Sequence, residues 1–190
     1  NDHKVEQVIT ASAIGIYPDD QDAEAFKEND IPPYANNYLA EVCIAWENVA
    51  QQFKETGAQL AIVRIGIVLA AKGGALEQMA QPVKFYAGAG FGNGKIWQSW
   101  VAIDDLAGIF YHISDHRLEG VYNGVAPHPV RNRPMMKAIG EVMGKPVFLP
   151  NVPEFIMKLM LGEMAAVVLS SQHVSSSRIE EAGYQFQYPQ

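Results

Sequence analysis

Ser12 and Tyr17 are the first residues whose types and spacing could do chemistry. They close a short apolar run, residues 7–17, that ends in small hydroxyl residues, a glycine and an aromatic ahead of Pro18. A serine at the carboxyl end of a buried strand, with a tyrosine close by, can hydrogen-bond a substrate oxygen and move a proton. Small residues at strand ends also serve turns, and the residues alone leave both readings open. Arg64 stands inside the apolar run 60–69. A buried guanidinium demands a carboxylate, a carbonyl or a phosphate, and Glu47 and Asp104 are the candidate partners. Residues 88–94 hold four glycines in seven positions, with Trp97, Gln98 and Trp100 close behind. That segment reads as a substrate lip able to stack on and hydrogen-bond a base or sugar, or equally as a surface loop pinned by two tryptophans. Arg131 and Arg133, after the Pro127-His128-Pro129 turn, could meet a diphosphate or simply be solvated. The five histidines show no ligand spacing, so no metal is expected.

The elements that would position these side chains alternate. Residues 7–17 read as a buried parallel strand whose carboxyl edge is a ligand edge in open α/β sheets. A polar excursion, residues 19–33, ends in Ile31-Pro32-Pro33. Asn37 can cap a helix with two neighbouring apolar stripes, Tyr38, Val42, Ala45, Val49 and Leu39, Cys43, Trp46, Ala50, so much of its surface is expected to be covered. Gly57 stops it, and residues 60–69 form a strand too apolar to have a wet face. Strand, helix, strand in this order implies a crossover in a parallel sheet. A short helix is expected over 76–83. Asp104 and Asp105 open and cap another, with Leu106, Ile109, Phe110 and Ile113 on one buried face. Residues 121–125 read as a strand, and Asn132 can cap a helix that runs to Gly144 with Met135, Ile139 and Val142 inward. A small helical appendage follows from Lys145, and Ser177-Arg178-Ile179-Glu180 is a capping-box pattern for a last short helix.

Composition narrows the partners. The 190 residues are 48% apolar and 18% charged, which describes a chain that buries a sizeable core in one domain or one domain with an appendage. With a formal net charge of -7 and no basic run, nucleic acid and anionic membrane surfaces are not expected partners, and a small-molecule substrate is. Cys43 is the single cysteine, which excludes an internal disulfide and fits a reducing, cytoplasmic setting. The longest apolar run, residues 60–71, is interrupted by Arg64 and falls short of the ~20 residues that span a bilayer.

Several motifs in order resemble one family: Ser-Ala-Ile-Gly-Ile-Tyr from Ser12, Leu-Ala-Glu-Val-Cys-Ile-Ala-Trp-Glu from Leu39, Arg-Ile-Gly-Ile-Val-Leu from Arg64, Trp-Val-Ala-Ile-Asp-Asp from Trp100 and Gly-Glu-Met-Ala from Gly162. Together they are similar to the extended, atypical short-chain dehydrogenases/reductases, in the epimerase-like branch labelled nucleoside-diphosphate-sugar epimerases. The resemblance implies an α/β fold: the second half of a Rossmann-type parallel sheet, residues 1–85 and 100–125, with a small C-terminal α/β substrate domain, residues 86–99 and 126–190. It implies NADP(H) or NAD(H) as cofactor, contacted by Thr10, Ala11, Arg64, Ile67 and Leu69, and a nucleotide-sugar-like substrate contacted by Trp97, Gln98, Trp100 and Arg131. Ser12, Tyr17 and Tyr38 become the catalytic candidates. The family's glycine-rich pyrophosphate turn has no counterpart here, so the chain is expected to be N-terminally incomplete and short of a last helix beyond Pro189. Its first strand is then expected to be an exposed apolar edge open to pairing, with association (a homodimer among the possibilities), instability or further residues covering it as the alternatives. Two departures stand out. Tyr38 falls at the family's tyrosine, but Val42 falls where a lysine four residues on would lower that phenol's pKa. Ala102 falls where many relatives carry a histidine. An unassisted phenol, with a pKa of about 10, is phenolate in only roughly one molecule in a thousand near neutral pH. A non-catalytic, dinucleotide-binding regulatory protein is therefore the alternative function.

Overall fold

The computed structural model describes residues 5–20, 22, 24–30, 37–162 and 164–190. Ile31-Pro32-Pro33 of the expected excursion loop, and Glu163 of the Gly-Glu-Met-Ala motif, lie outside them.

Three parallel strands make the central sheet. β1 (Gln7–Ala13) pairs with β2 (Gln59–Ile65), and β2 with β6 (Gly120–Gly124), so β1 is an edge strand of this sheet. Side chains alternate along a strand. On β2, Leu60 and Ile62 pack with Ala50 of α1 (Tyr38–Gln51), while Ala61 and Val63 pack with Leu106, Ile109 and Ile113 of α3 (Ile103–Asp115). Both faces are covered, which is why the strand reads as a continuous apolar run.

The expected single strand over 60–69 is two strands. β2 ends at Ile65, and β3 (Ile67–Leu69) pairs instead with β5 (Trp100–Ala102). The exchange happens at Gly66, whose N–H reaches Gly124 O at 3.1 Å while the N–H of Ile67 reaches Ser99 O at 2.8 Å. α2 (Gly74–Lys84) follows β3, and β4 (Trp97–Gln98) pairs antiparallel with β7 (Val130–Arg131). The remaining helices are α4 (Asn132–Val142), α5 (Glu154–Leu161), α6 (Met164–Leu169) and α7 (Ser177–Glu181). No helix among the described residues is long and apolar enough to cross a membrane.

Three local expectations are corrected. On α1 the buried residues are Ala40, Cys43 and Ala50; their small side chains let the helix lie close to the sheet, while Tyr38 is 76% exposed and Trp46 and Val49 also face outward. Asp104 and Asp105 do not cap α3, whose N-cap is Ala102. Asp105 is fully buried, and its carboxylate accepts from the Tyr184 hydroxyl at 2.9 Å and from the N–H groups of Gln187 and Tyr188 at 2.8 and 2.9 Å. It ties the C-terminal residues to α3, and burial together with that carboxylate pushes the Tyr184 phenol up. On α4, Met135 and Met136 are buried but Val142 is 90% exposed; Asn132 is itself buried, and its side chain accepts the Phe91 N–H at 2.7 Å.

Candidate functional site

A cavity of about 440 Å³ opens at the carboxyl ends of β1 and β2. One wall is Ala13, Ile14 and Gly15 with Ile65, Gly66 and Ile67. α1 supplies Tyr38, Leu39, Val42, Cys43 and Trp46, and the far side is Trp97, Ser99, Ser170 and Gln172. Its place in a parallel sheet is where such folds bind ligands, and its size is that of small-molecule sites. Asn37 fixes the helix that carries Tyr38, its side chain accepting the Ala40 N–H at 3.0 Å, as the sequence predicts. Tyr38 and Val42 stand one turn apart on this helix and both line the cavity.

Ser12, Tyr17 and Arg64 are brought together elsewhere. Ser12, Arg64 and Asn123 sit abreast across the three strands. Arg64 donates from Nε and Nη2 to the two carboxylate oxygens of Glu47, each at 2.9 Å, and the Ser12 hydroxyl donates to Glu47 Oε1 at 2.8 Å. Arg64 Nη1 donates to the Tyr17 hydroxyl at 2.9 Å, and that hydroxyl donates to Asn123 Oδ1 at 2.9 Å. Of the two expected partners of Arg64, Glu47 is the one observed. The guanidinium faces its own fold, where the resemblance had implied a cofactor contact. Burial works against the Arg64 charge, but the hydrogen bonds to Glu47 and Tyr17 and the charge of the Glu47 carboxylate outweigh it and raise its pKa.

Tyr17 is 1% exposed, and neither it nor Ser12 lines the cavity. Burial pushes the Tyr17 phenol up, opposed by Arg64, so its surroundings favour the neutral form. The other candidates separate in the same way. Ile67 lines the site, but Leu69 and Trp100 line a second cavity of about 910 Å³ between α2 and α4, together with Met135 and Ile139. Thr10 is half-buried and Ala11 exposed, and neither lines either cavity. Gln98 is buried, and its Oε1 has no hydrogen-bond partner among the described residues. Trp97 lines the site, but its indole is sandwiched. The Arg131 guanidinium lies 3.9 Å from the ring centroid and the His173 ring stacks at 4.1 Å and 9°; two groups so close to one centroid must occupy opposite faces. Arg131 also donates to Lys95 O.

Sequence reasoning missed Asn123, Glu28 and His173. Only Asn123 left a trace, as a polar residue within a predicted strand. The Glu28 carboxylate accepts the Asn123 N–H at 2.8 Å, and burial raises its pKa against the pull of that hydrogen bond, Arg178 and Arg64. A raised carboxyl contributes stability that is complete below the ordinary carboxylate value and is lost as pH climbs through the raised one. Glu28→Gln is therefore expected to flatten the dependence of the urea midpoint on pH above the ordinary carboxylate value of about 4.3. An unchanged slope would refute this role.

Comparison with known proteins agrees with the fold. Residues 152–190 match a domain of unknown function, DUF1731. The chain is 40% identical over 182 residues, 95% of its length, to the chloroplastic epimerase family protein SDR39U1 homolog of Arabidopsis thaliana, covering 51% of that protein. It is 35% identical over 188 residues to the epimerase family protein SERP0438 of Staphylococcus epidermidis, covering 98% of this chain and 62% of that one. The chain thus spans between half and two thirds of these curated relatives. Among solved structures, the human epimerase family protein SDR39U1, isoform 2, with NADPH superposes with a TM-score of 0.79 at 26% identity, over 96% of this chain and 61% of that one. Over the residues it spans, the chain is thus similar in sequence to epimerase family proteins and in fold to the human member solved with NADPH.

Proposed function

We propose that this chain forms the substrate-side wall of an NAD(P)-dependent, epimerase-like oxidoreductase site, with the cavity under Tyr38 as the reaction chamber. The carrying observation is that cavity at the carboxyl ends of two parallel strands, faced by a tyrosine on the intervening helix. Support comes from the human relative crystallised with NADPH. The lining fits the nicotinamide end of a dinucleotide: Ala13, Gly15 and Gly66 are small, Ile14, Ile65 and Ile67 apolar, and an uncharged flat ring needs no more. When bound, a nicotinamide dinucleotide supplies hydride transfer. Tyr38 would hold the reacting oxygen through its hydroxyl. Ser12, Tyr17 and Arg64 act as positioning residues that join β1, β2 and α1 beneath the chamber. The nucleotide-sugar-like substrate implied by the resemblance would have to seat its charged part outside this cavity, whose described lining carries no charge.

A second reading, a dinucleotide-binding protein without turnover, is favoured by one observation: Val42 presents an isopropyl group to the cavity one turn after Tyr38. Thermal shift of the complete gene product with NADPH tests the first step, and no response at millimolar dinucleotide would end both readings. Val42→Lys separates them. A cation at that position favours phenolate, so turnover of a carbonyl panel is expected to rise about 10-fold or more over wild type. Absence of turnover in both proteins, with NADPH bound, selects the non-catalytic reading.

A further inference from the structure

The cavity's polar inventory bears on what it admits. Among the described residues its lining contains no Asp, Glu, Lys, Arg or His. The Ser99 hydroxyl is spent, donating to Gln172 O at 2.8 Å and accepting the Val174 N–H at 3.0 Å. Gln172 Nε2 is engaged by the Ser170 hydroxyl. The Tyr38 hydroxyl, by contrast, makes no hydrogen bond with another described residue, and the side chain is largely exposed. Trp97 offers the chamber only a ring edge, because Arg131 and His173 take both faces. Of the two readings of this segment, that favours a loop pinned by its tryptophans over a lip on which Trp97 stacks a base or sugar.

These facts discriminate between ligand classes. A sugar ring brings several hydroxyl groups, and each that meets the apolar wall without a partner costs affinity. A diphosphate calls for fixed cations, and the nearby Arg131 is committed to the indole and to a backbone carbonyl. Ile14, Leu39, Val42 and Ile67 instead present hydrocarbon around one free phenol.

We propose that the chamber receives an uncharged, predominantly apolar alcohol or ketone, an alicyclic or aromatic skeleton bearing a single oxygen that hydrogen-bonds the Tyr38 hydroxyl. This deepens the functional reading above, resting on the same cavity but not on the presence of dinucleotide. Val42 contributes hydrocarbon contact to such a ligand, so the residue that departs from the family pattern becomes a determinant of what is bound.

Calorimetric titration of the protein with 2-decalone, with decalin and with UDP-glucose tests it, each with and without NADPH. Decalone is expected to bind and UDP-glucose not to compete. Tyr38→Phe, an exposed change on the first turn of α1, is expected to weaken decalone about 3- to 10-fold while leaving decalin unchanged. Val42→Ser, which takes hydrocarbon from the wall without adding a charge, is expected to weaken decalone and decalin alike. No decalone binding up to its solubility limit, competition by UDP-glucose, or equal loss of decalone and decalin on Tyr38→Phe would each overturn the proposal. Decalone binding by a protein that fails to respond to NADPH would support it while removing the oxidoreductase reading, so the two fail separately.

Discussion

Replacing Arg64 by alanine is expected to cost about 3–5 kcal/mol of folding stability, read as a lowered urea midpoint. The Arg64 and Glu47 side chains are only 7% and 12% exposed and pair through two parallel N–H···O bonds. Removing the cation leaves the Glu47 carboxylate inside the protein with the Ser12 hydroxyl as its remaining donor, and frees the Tyr17 oxygen from one of its partners. The penalty is thus that of an orphaned charge, more than the net worth of the pair. Arg64→Met combined with Glu47→Leu, which removes both charges and keeps volume, is expected to recover most of the loss. A single substitution costing less than about 1 kcal/mol would place the pair among ordinary surface bridges and sink the account.

Gly66→Ala is expected to destabilise by about 3 kcal/mol or more, at or above the upper end of typical overpacking. A Cβ there would lie 2.3 Å from the carbonyl oxygen of Ser99 and 2.7 Å from Val125 Cγ1. The first obstacle is backbone that accepts the Ile67 N–H, so relief would tear the junction at which the chain leaves β6 for β5. Gly15→Ala is the control on the same cavity wall, where the nearest atom to an added Cβ is Leu39 Cβ at 3.6 Å, an ordinary contact. Equal melting temperatures for the two variants would contradict the steric argument.

What the sequence disclosed follows from which forces are local. A guanidinium in an apolar strand announces that a partner exists, and Glu47 could be named because one helix separates it from Arg64. Asn37 as a cap and the buried face of Leu106, Ile109 and Ile113 are likewise read within a few residues. The direction of Ser12 was not legible. Its neighbour Ala13 lines the cavity while Ser12 turns to Glu47, and alternation along a strand gives two faces without saying which one is the ligand's. Asp105 looked like a cap because its acceptors' use by residues 184–188 depends on a fold-back about eighty positions away. The outward face of α1 deceived for another reason. Tyr38, Trp46 and Val49 have the spacing of a buried stripe, yet Ala40, Cys43 and Ala50 are what the sheet receives.

The row from Ser12 through Glu47 to Arg64 has a consequence for behaviour on warming. Hydration of charged groups becomes less favourable with heat, so a buried pair of ions holds relatively better as temperature rises. That pair grips α1 about one turn from its C-terminal end, whereas the turn bearing Tyr38 depends on the Asn37 cap, worth about 1 kcal/mol. On warming, fraying is therefore expected to begin at the turn bearing Tyr38, read as amide exchange that rises there at lower temperature than in β2.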